Sequence, residues 1–241
     1  MASTFFGLHI GSSALSSFQV ATNTTANNIA NVKTTGYTRQ EATLQAKDAI
    51  NVTARYGSVG TGVTVTSIKQ QRDLYYDNKY WENNSCYGRY EQKLYYMEQI
   101  QNYFKDNGSS VKGFSSVFSQ MFSDLDTLRS KPSDKTVRNQ FISSAQSLCT
   151  YFNQMSDNLS KLQDDCNEEI RNNVDKINSI SEKISLLNKE INQIETGTGV
   201  EAGSLRDERA NLIDSLSKIV IVSYNDREVE NTNGEYLGGT N

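Results

Sequence analysis

The chain has 241 residues, 36% of them hydrophobic, and a formal net charge of −4. Its mean hydropathy of −0.61 and isoelectric point near 5.2 describe an acidic protein without a basic field, so we expect no nucleic acid partner. No apolar run reaches the roughly 18 residues of a membrane-spanning helix, so we expect no membrane insertion. This composition is typical of long helices that bury only one stripe of side chains.

The first segment, residues 3–31, has the residue spacing of a helix with a thin apolar stripe. Leu8, Leu15, Phe18 and Ile29 fall on one face. Because so polar a helix is marginal alone, we predict that this stripe packs against a partner helix or neighbouring subunits, with docking onto its own domain as the alternative. No lysine or arginine precedes Lys33, so the segment lacks the charged start of a cleaved secretory signal.

Helical periodicity stops between residues 34 and 68, where two extended segments are predicted. They are GYTRQEATLQA at 36–46 and TGVTVTSI at 61–68, and together they indicate a small β excursion, such as a hairpin. The glycines of GSVGTG at 57–62 favour a turn over a phosphate loop, because no Gly-Lys-Ser/Thr follows them.

A tyrosine-rich helix is predicted from about 72 to 105, with helix packing or subunit contact favoured over carbohydrate binding. Residues 106–113 contain turn formers and are predicted to break it. The next helix, about 114–129, carries a thick apolar stripe that we predict to be core. Its members are Phe114, Phe118, Met121, Leu125 and Leu128.

A long helix is predicted from 133 to 195, just after the only proline, Pro132. Six residues near its end keep a strict heptad spacing, which favours coiled-coil packing along a seam. They are Ile177, Ile180, Ile184, Leu187, Ile191 and Ile194. At about 1.5 Å per residue such a helix would reach roughly 95 Å, so we interpret it as a strut.

The glycines of 196–203 end this helix, and a shorter helix follows within SLRDERANLIDSLSKIV at 204–220. IVIVSYN at 219–225 is strand-like, and the tail beyond it carries turn residues. The predicted fold class is therefore mainly α: an elongated bundle of long helices with coiled-coil-like packing. A small β excursion follows the N-terminal helix, and a β region starts at the C-terminal end.

Catalytic and metal-binding patterns are weak in this sequence. His9 is the only histidine, and the three cysteines, Cys86, Cys149 and Cys166, are too widely spaced for a zinc site and are predicted to be packing residues. Acidic pairs on the long helix fit a solvated face better than a carboxylate site. We therefore predict no enzyme, no catalytic residues, no cofactor and no bound metal.

The end of the first helix carries the most specific motif. Asn27, Asn28, Ile29, Ala30, Asn31, Thr34, Gly36 and Tyr37 resemble the N-N-I-A-N-x-x-T-x-G-[FY] signature of bacterial flagellar axial proteins. Physically, asparagine side chains can bond the backbone where a helix ends, and a glycine with positive φ lets the chain turn into the β excursion.

Two further patterns narrow the resemblance within the axial proteins. Thr38, Arg39 and Gln40 after the tyrosine resemble the version of the signature in flagellar hook-associated protein 1, the FlgK family of hook-filament junction proteins. The helix at 204–220 is similar to that family's D-x-R-x-x-L-[IV]-x-x-L-x-x-[IV]-V segment. The matching residues are Asp207, Arg209, Leu212, Ile213, Leu216, Ile219 and Val220.

The resemblance implies a structural subunit of the flagellum, exported through the type III route without a cleaved signal and located outside the cell. Its implied partners are identical subunits, the hook protein on one side, the next junction protein or the filament on the other, and an export chaperone. The family also has a C-terminal heptad helix, so we expect this chain to be an N-terminal fragment. A hook or rod protein, and a secreted helical adhesin or effector, are the alternatives.

The predicted domain organisation follows from the elements and the resemblance. The segments are an N-terminal axial core helix at 1–33, a β-rich connector at 34–70, an elongated helical domain at 71–218, and the start of a further β domain or a frayed tail at 219–241.

Overall fold

The computed structural model describes residues 5–51, 57–106, 113–224, 228–230 and 236–240. Within these ranges the helices are Phe6–Ala30 (α1), Leu74–Tyr103 (α2), Phe114–Ser130 (α3), Lys135–Thr198 (α4) and Gly203–Ser217 (α5). The strands are Gln40–Ala46 (β1), Ile50–Asn51 (β2), Ser58–Val59 (β3), Val63–Gln70 (β4), Glu228–Glu230 (β5) and Tyr236–Thr240 (β6). The prediction of a mainly α chain with a β excursion after the first helix and strands near the C-terminal end is confirmed.

The β excursion is an antiparallel hairpin built from β1 and β4. The register runs from Gln40 opposite Gln70 to Ala46 opposite Val63, with an irregularity between Thr43 and Leu44. β2 and β3 pair in the same antiparallel sense between them. The hairpin packs on α1, and its open end, at the Gln40–Gln70 pair, lies nearest to the motif that ends α1.

The chain divides into two compact units. The first unit combines Met1–Ser85 with Asn178–Asn241, and the second unit is Cys86–Ile177, so that α2 and α4 each contribute residues to both. The four segments inferred from the sequence remain a prediction. In the described ranges, none of the helices has both the length and the apolar character that crossing a membrane requires.

The apolar core of the first unit lies where α2, α4 and α5 contribute their buried side chains. Trp81 of α2 is 2% exposed and donates its indole N–H to the Asp214 carboxylate at 2.6 Å. The other buried apolar residues of this unit are Ile180, Leu187, Ile191, Ala210 and Ile213. A buried indole with a satisfied N–H adds a directional contact to hydrophobic packing.

The second unit holds the middle of the helical region. At its aromatic cluster the Phe114 and Phe118 rings stack with centroids 5.1 Å apart, and Phe152 lies 5.9 Å from Phe114. Across the unit, Tyr96 donates to the Glu169 carboxylate at 2.5 Å, and this bond raises the pKa of Tyr96 above its ordinary value.

The start of α3 is capped from a distance. The Asp106 carboxylate accepts the backbone N–H of Ser116 at 2.9 Å and its hydroxyl at 2.7 Å. This satisfies one of the free amides in the first turn of a helix, where negative charge is favourable. The predicted helix break at 106–113 otherwise lies outside the described residues, as do residues 3 and 4 of the predicted first helix.

Two sequence predictions about burial need correction. The α3 stripe is not a closed core, because Phe114, Phe118 and Leu125 are 38–41% exposed. Cys86 and Cys149 are exposed rather than packed, since they lie on helix faces that no other described element covers, and Cys166 is half-buried.

The strand predicted at 219–225 is also wrong over its described part. Residues 218–224 form a turn and irregular chain, because the amides of Ile219 and Val220 both bond the Leu216 carbonyl and prolong the end of α5. The β region begins at Glu228 instead.

Candidate functional site

The site is built where α1 ends, and Asn28 is its central side chain. Its Oδ1 accepts the Gln40 backbone N–H at 2.9 Å, while its Nδ2 donates to the Gln40 carbonyl at 2.8 Å. Oδ1 also accepts the Tyr37 hydroxyl at 2.8 Å. The amide therefore pairs with the first residue of β1 as a neighbouring strand would, which requires a side chain that both donates and accepts.

The other two asparagines close the helix end itself. Asn31 Nδ2 donates to the Asn27 carbonyl at 3.0 Å and to Asn27 Oδ1 at 2.9 Å, and the Thr34 hydroxyl donates to Asn31 Oδ1 at 3.1 Å. The last carbonyls of a helix lack intrahelical partners, and short polar side chains supply them. The motif thus stops α1 and holds the chain that follows.

Gly36 turns the chain from this helix end towards the hairpin. Its φ of +78° lies in the left-handed region, which a residue with a Cβ adopts at a cost. A Cβ at this position would also lie 1.8 Å from Oδ1 of Asn211 in α5. The backbone conformation therefore favours glycine, and a side chain at this position would also displace the Asn211 side chain.

α5 meets the motif mainly through Asp207, which is 9% exposed. Asp207 Oδ2 accepts the Thr38 backbone N–H at 3.3 Å, and Oδ1 accepts Gln70 Nε2 at 2.9 Å. The Gln70 backbone N–H donates to Glu201 at 3.0 Å. Burial, and secondarily the negative charge of Asp207, raise the pKa of Tyr37.

The side of α5 that faces α4 is fixed by a buried ion pair. Arg206 donates to both carboxylate oxygens of Glu195 at 2.7 Å, and the Ala202 N–H donates to the same group at 3.0 Å. Burial by itself would raise the pKa of Glu195, but the hydrogen bonds from Arg206 and Ala202 outweigh it, so the pKa lies below its ordinary value. Bidentate pairing of this kind fixes orientation as well as charge.

Arg209 makes a second anchor on α5. It donates to Asn188 of α4 at 3.0 Å and to the Tyr224 hydroxyl at 2.5 Å, and its guanidinium lies 5.3 Å from the centre of the Tyr224 ring. Trp81 meets the same ring edge-on at 5.8 Å. α5 is therefore held on one side by α4 and on the other by the motif.

The predicted packing stripe of α1 faces away from these contacts. Leu8 is 70% exposed, Leu15 71%, Phe18 57% and Ile29 68%. The opposite face is covered by the hairpin: Ser17 is 6% exposed and donates its hydroxyl to the Val63 carbonyl at 3.1 Å. The stripe thus lies on the surface of this chain, with its partner still a prediction.

The remaining predicted residues are spread over the chain. Arg39 has a surface ion pair with Glu41 at 3.6 Å, a contact type that contributes little. Five of the six heptad residues lie in the first unit: Ile180, Leu187 and Ile191 are buried, Ile184 is half-buried and Ile194 is 41% exposed. The sixth, Ile177, is half-buried in the second unit.

Sequence reasoning missed the contacts between the motif and α5. Gln70, Asn211 and Glu201 carried no signal, since they lie on no apolar stripe and their partners are more than a hundred residues away in sequence. Asp207 appeared as part of a family pattern, which gave no indication of its partner. Among the described residues, no cluster of three or more histidine, cysteine or acidic side chains is arranged to hold a metal.

Comparison with known proteins gives one match to the N-terminal helix and its motif, and another to the long helices. A family profile described as "Flagella basal body rod protein" matches residues 8–38, which hold α1 and the motif. One described as "Flagellar hook-associated protein FlgK helical domain" matches residues 97–237.

Individual relatives belong to the same family as the helical-domain profile. The chain is 34% identical to flagellar hook-associated protein 1 of Bacillus subtilis over 93% of its length and 45% of the relative's. It is 32% identical to the protein of that name in Salmonella typhimurium and 30% to that of Escherichia coli, each over 86% of this chain and 37% of the relative. The chain thus spans less than half the length of these relatives.

The profile matches to α1 with its motif and to the long helices, together with the relatives, show that this is a flagellar protein. Because the helical-domain profile covers residues 97–237, more than half of the 241, the chain belongs to the family of FlgK flagellar hook-associated proteins.

Proposed function

We propose that this protein is a structural component of the bacterial flagellum that forms the junction between hook and filament by self-assembly, without catalysis or a cofactor. Family membership supports the flagellar role. The exposed apolar stripe of α1 is the observation that supports assembly, because it leaves four large side chains 57–71% exposed on a helix whose other face is already covered.

The stripe is suited to a helical partner. At about 2 kcal/mol for each fully buried side chain, covering it would contribute about 5 kcal/mol before the loss of translational freedom. Identical subunits can close into a ring when a patch on each subunit binds a different patch on its neighbour. We propose that identical subunits cover this stripe, together with the C-terminal heptad helix that the family has.

The family resemblance supports a proposal for the location and the remaining partners. We propose that the protein acts outside the cell after type III export, contacting the hook protein on one side and the next junction protein or the filament on the other. An export chaperone would keep the stripe covered before assembly, since exposed apolar patches promote aggregation.

The test uses the complete protein as encoded in its genome, mixed with purified hooks and imaged at the hook tips. Leu15→Asp places a charge in the exposed stripe and is expected to abolish capping. Asn23→Asp adds the same charge on an exposed polar position of the same helix and should leave capping intact. A variant without residues 1–31 should fail as well.

Capping by both the unchanged protein and Leu15→Asp would refute the role of the stripe. No capping by the unchanged protein would refute the junction role and direct attention to the tyrosine-rich helix as a surface-binding element.

A further inference from the structure

One face of α5 is directed at the motif and the open end of the hairpin. Gly203, Asp207 and Asn211 occur at every fourth position, so they lie on the same side of the helix. At Gly203 an added Cβ would meet Gln40 Nε2 at 2.8 Å, and Asn211 packs against Gly36. The three residues thus form a continuous polar edge, which we name the α5 edge.

Each of the two bodies that meet at the α5 edge is held together by contacts of its own. α1 and the hairpin are joined by the bonds of Asn28 to Gln40 and of Ser17 to Val63. α5 is joined to α4 through the ion pair of Arg206 with Glu195. Neither set of contacts involves Asp207, so each body keeps its internal bonds when that residue is removed.

Asp207 is the member of the α5 edge whose side chain makes directional bonds to the hairpin end. Its two carboxylate oxygens accept from both sides of the hairpin's open end, from the Thr38 amide just before β1 and from the side chain of Gln70 at the end of β4. Gln70 also donates to the Gly203 carbonyl at 2.8 Å. A carboxylate that bridges the two sides of this open end resists rotation of the hairpin about α5.

We propose that Asp207 is a positioning residue, which fixes the direction in which the hairpin and α1 leave α5, and which neither body needs in order to fold. The inference concerns contacts within one chain, so it can fail without any effect on the proposed junction role.

The experiment measures the distance between spin labels in this chain by pulsed electron paramagnetic resonance. The labels are attached at Asn23→Cys on α1 and Ser204→Cys on α5, both exposed positions, in a background with the three native cysteines replaced by serine. Asp207→Ala is compared with Glu208→Ala, which removes the same charge from the same helix at an exposed position.

We expect one narrow distance peak in the parent and in Glu208→Ala, and a peak at least twofold broader in Asp207→Ala. Hydrogen exchange followed by NMR should show the Thr38 amide exchanging at least tenfold faster in Asp207→Ala, with the amides inside β1 and β4 unchanged. Gln70→Met removes the bridging amide from the hairpin side and should broaden the peak in the same way.

Unchanged distances and unchanged Thr38 exchange in Asp207→Ala would overturn the proposal. Loss of helical circular dichroism in both Asp207→Ala and Gln70→Met would also overturn it, because the bridge would then be needed for folding.

Discussion

Replacing Gly36 by alanine is expected to destabilise the first unit by two separable effects. At φ +78° a residue with a Cβ is strained, and the same Cβ would lie 1.8 Å from the side-chain oxygen of Asn211. The left-handed conformation costs about 1–2 kcal/mol, and moving the half-buried Asn211 side chain aside adds about 1 kcal/mol, at the low end of the cost of overpacking. We expect Gly36→Ala to lower the free energy of unfolding by about 2 kcal/mol.

Gly57 supplies the matched control. Its φ is +71°, close to that of Gly36, but among the described residues an added Cβ would meet no heavy atom within 4 Å. Gly57→Ala therefore carries the backbone strain without the clash, and we expect it to cost about 1 kcal/mol. The difference between the two variants measures the approach of α5 to the motif.

Urea unfolding followed by tryptophan fluorescence is the assay, because the chain has one tryptophan and Trp81 is buried in the first unit beside α5. The double variant Gly36→Ala with Asn211→Ala should recover about 1 kcal/mol relative to Gly36→Ala, as contacting residues couple in a double-mutant cycle. Equal losses in Gly36→Ala and Gly57→Ala, or no recovery in the double variant, would refute the reasoning.

Two further predictions concern the bonds on either side of this contact. Asn28→Asp removes the donor to the Gln40 carbonyl and sets a negative charge against it, so we expect a loss of about 2 kcal/mol in urea unfolding, with Asn23→Asp near zero. Glu195→Gln breaks the buried pair with Arg206, and we expect a loss of about 3 kcal/mol at pH 7. Because the folded pKa of Glu195 lies below the ordinary 4.5, its contribution is fully present above that pH and is lost as pH falls through the folded pKa.

A specific result would contradict each of these two predictions. Similar effects of charge at positions 23 and 28 would mean that the Asn28 pairing contributes nothing beyond helix charge. A Glu195→Gln variant that loses stability with acid as steeply as the parent would mean that the pH dependence arises elsewhere in the chain.

Much of the local structure was predictable because the relevant interactions are local. The helix period of residues 3–31 and the alternation within 61–68 predicted α1 and β4, and the asparagine-to-glycine motif marked where α1 ends. Such patterns report backbone preferences and side-chain direction over a few residues.

The burial of polar residues in α1 was not predicted. In α1 the small polar residues Ser17 and Thr24 are buried, while the apolar stripe is exposed. Thr24 satisfies its hydroxyl with the Val20 carbonyl at 3.0 Å, and such self-satisfied polar groups can be covered without penalty. Hydrophobicity alone could not show that the hairpin covers this face of α1.

The family, the order of helices α1 to α5 and the motif that ends α1 can be read from the amino-acid sequence alone. The contacts of Gly36, Thr38 and Gln70 with α5 become visible only in the folded chain, where Asp207 bonds Thr38 across 169 residues of sequence. A bond over that separation depends on the register of the whole hairpin and on the ion pair that fixes α5 to α4. No local pattern of residues encodes either of them.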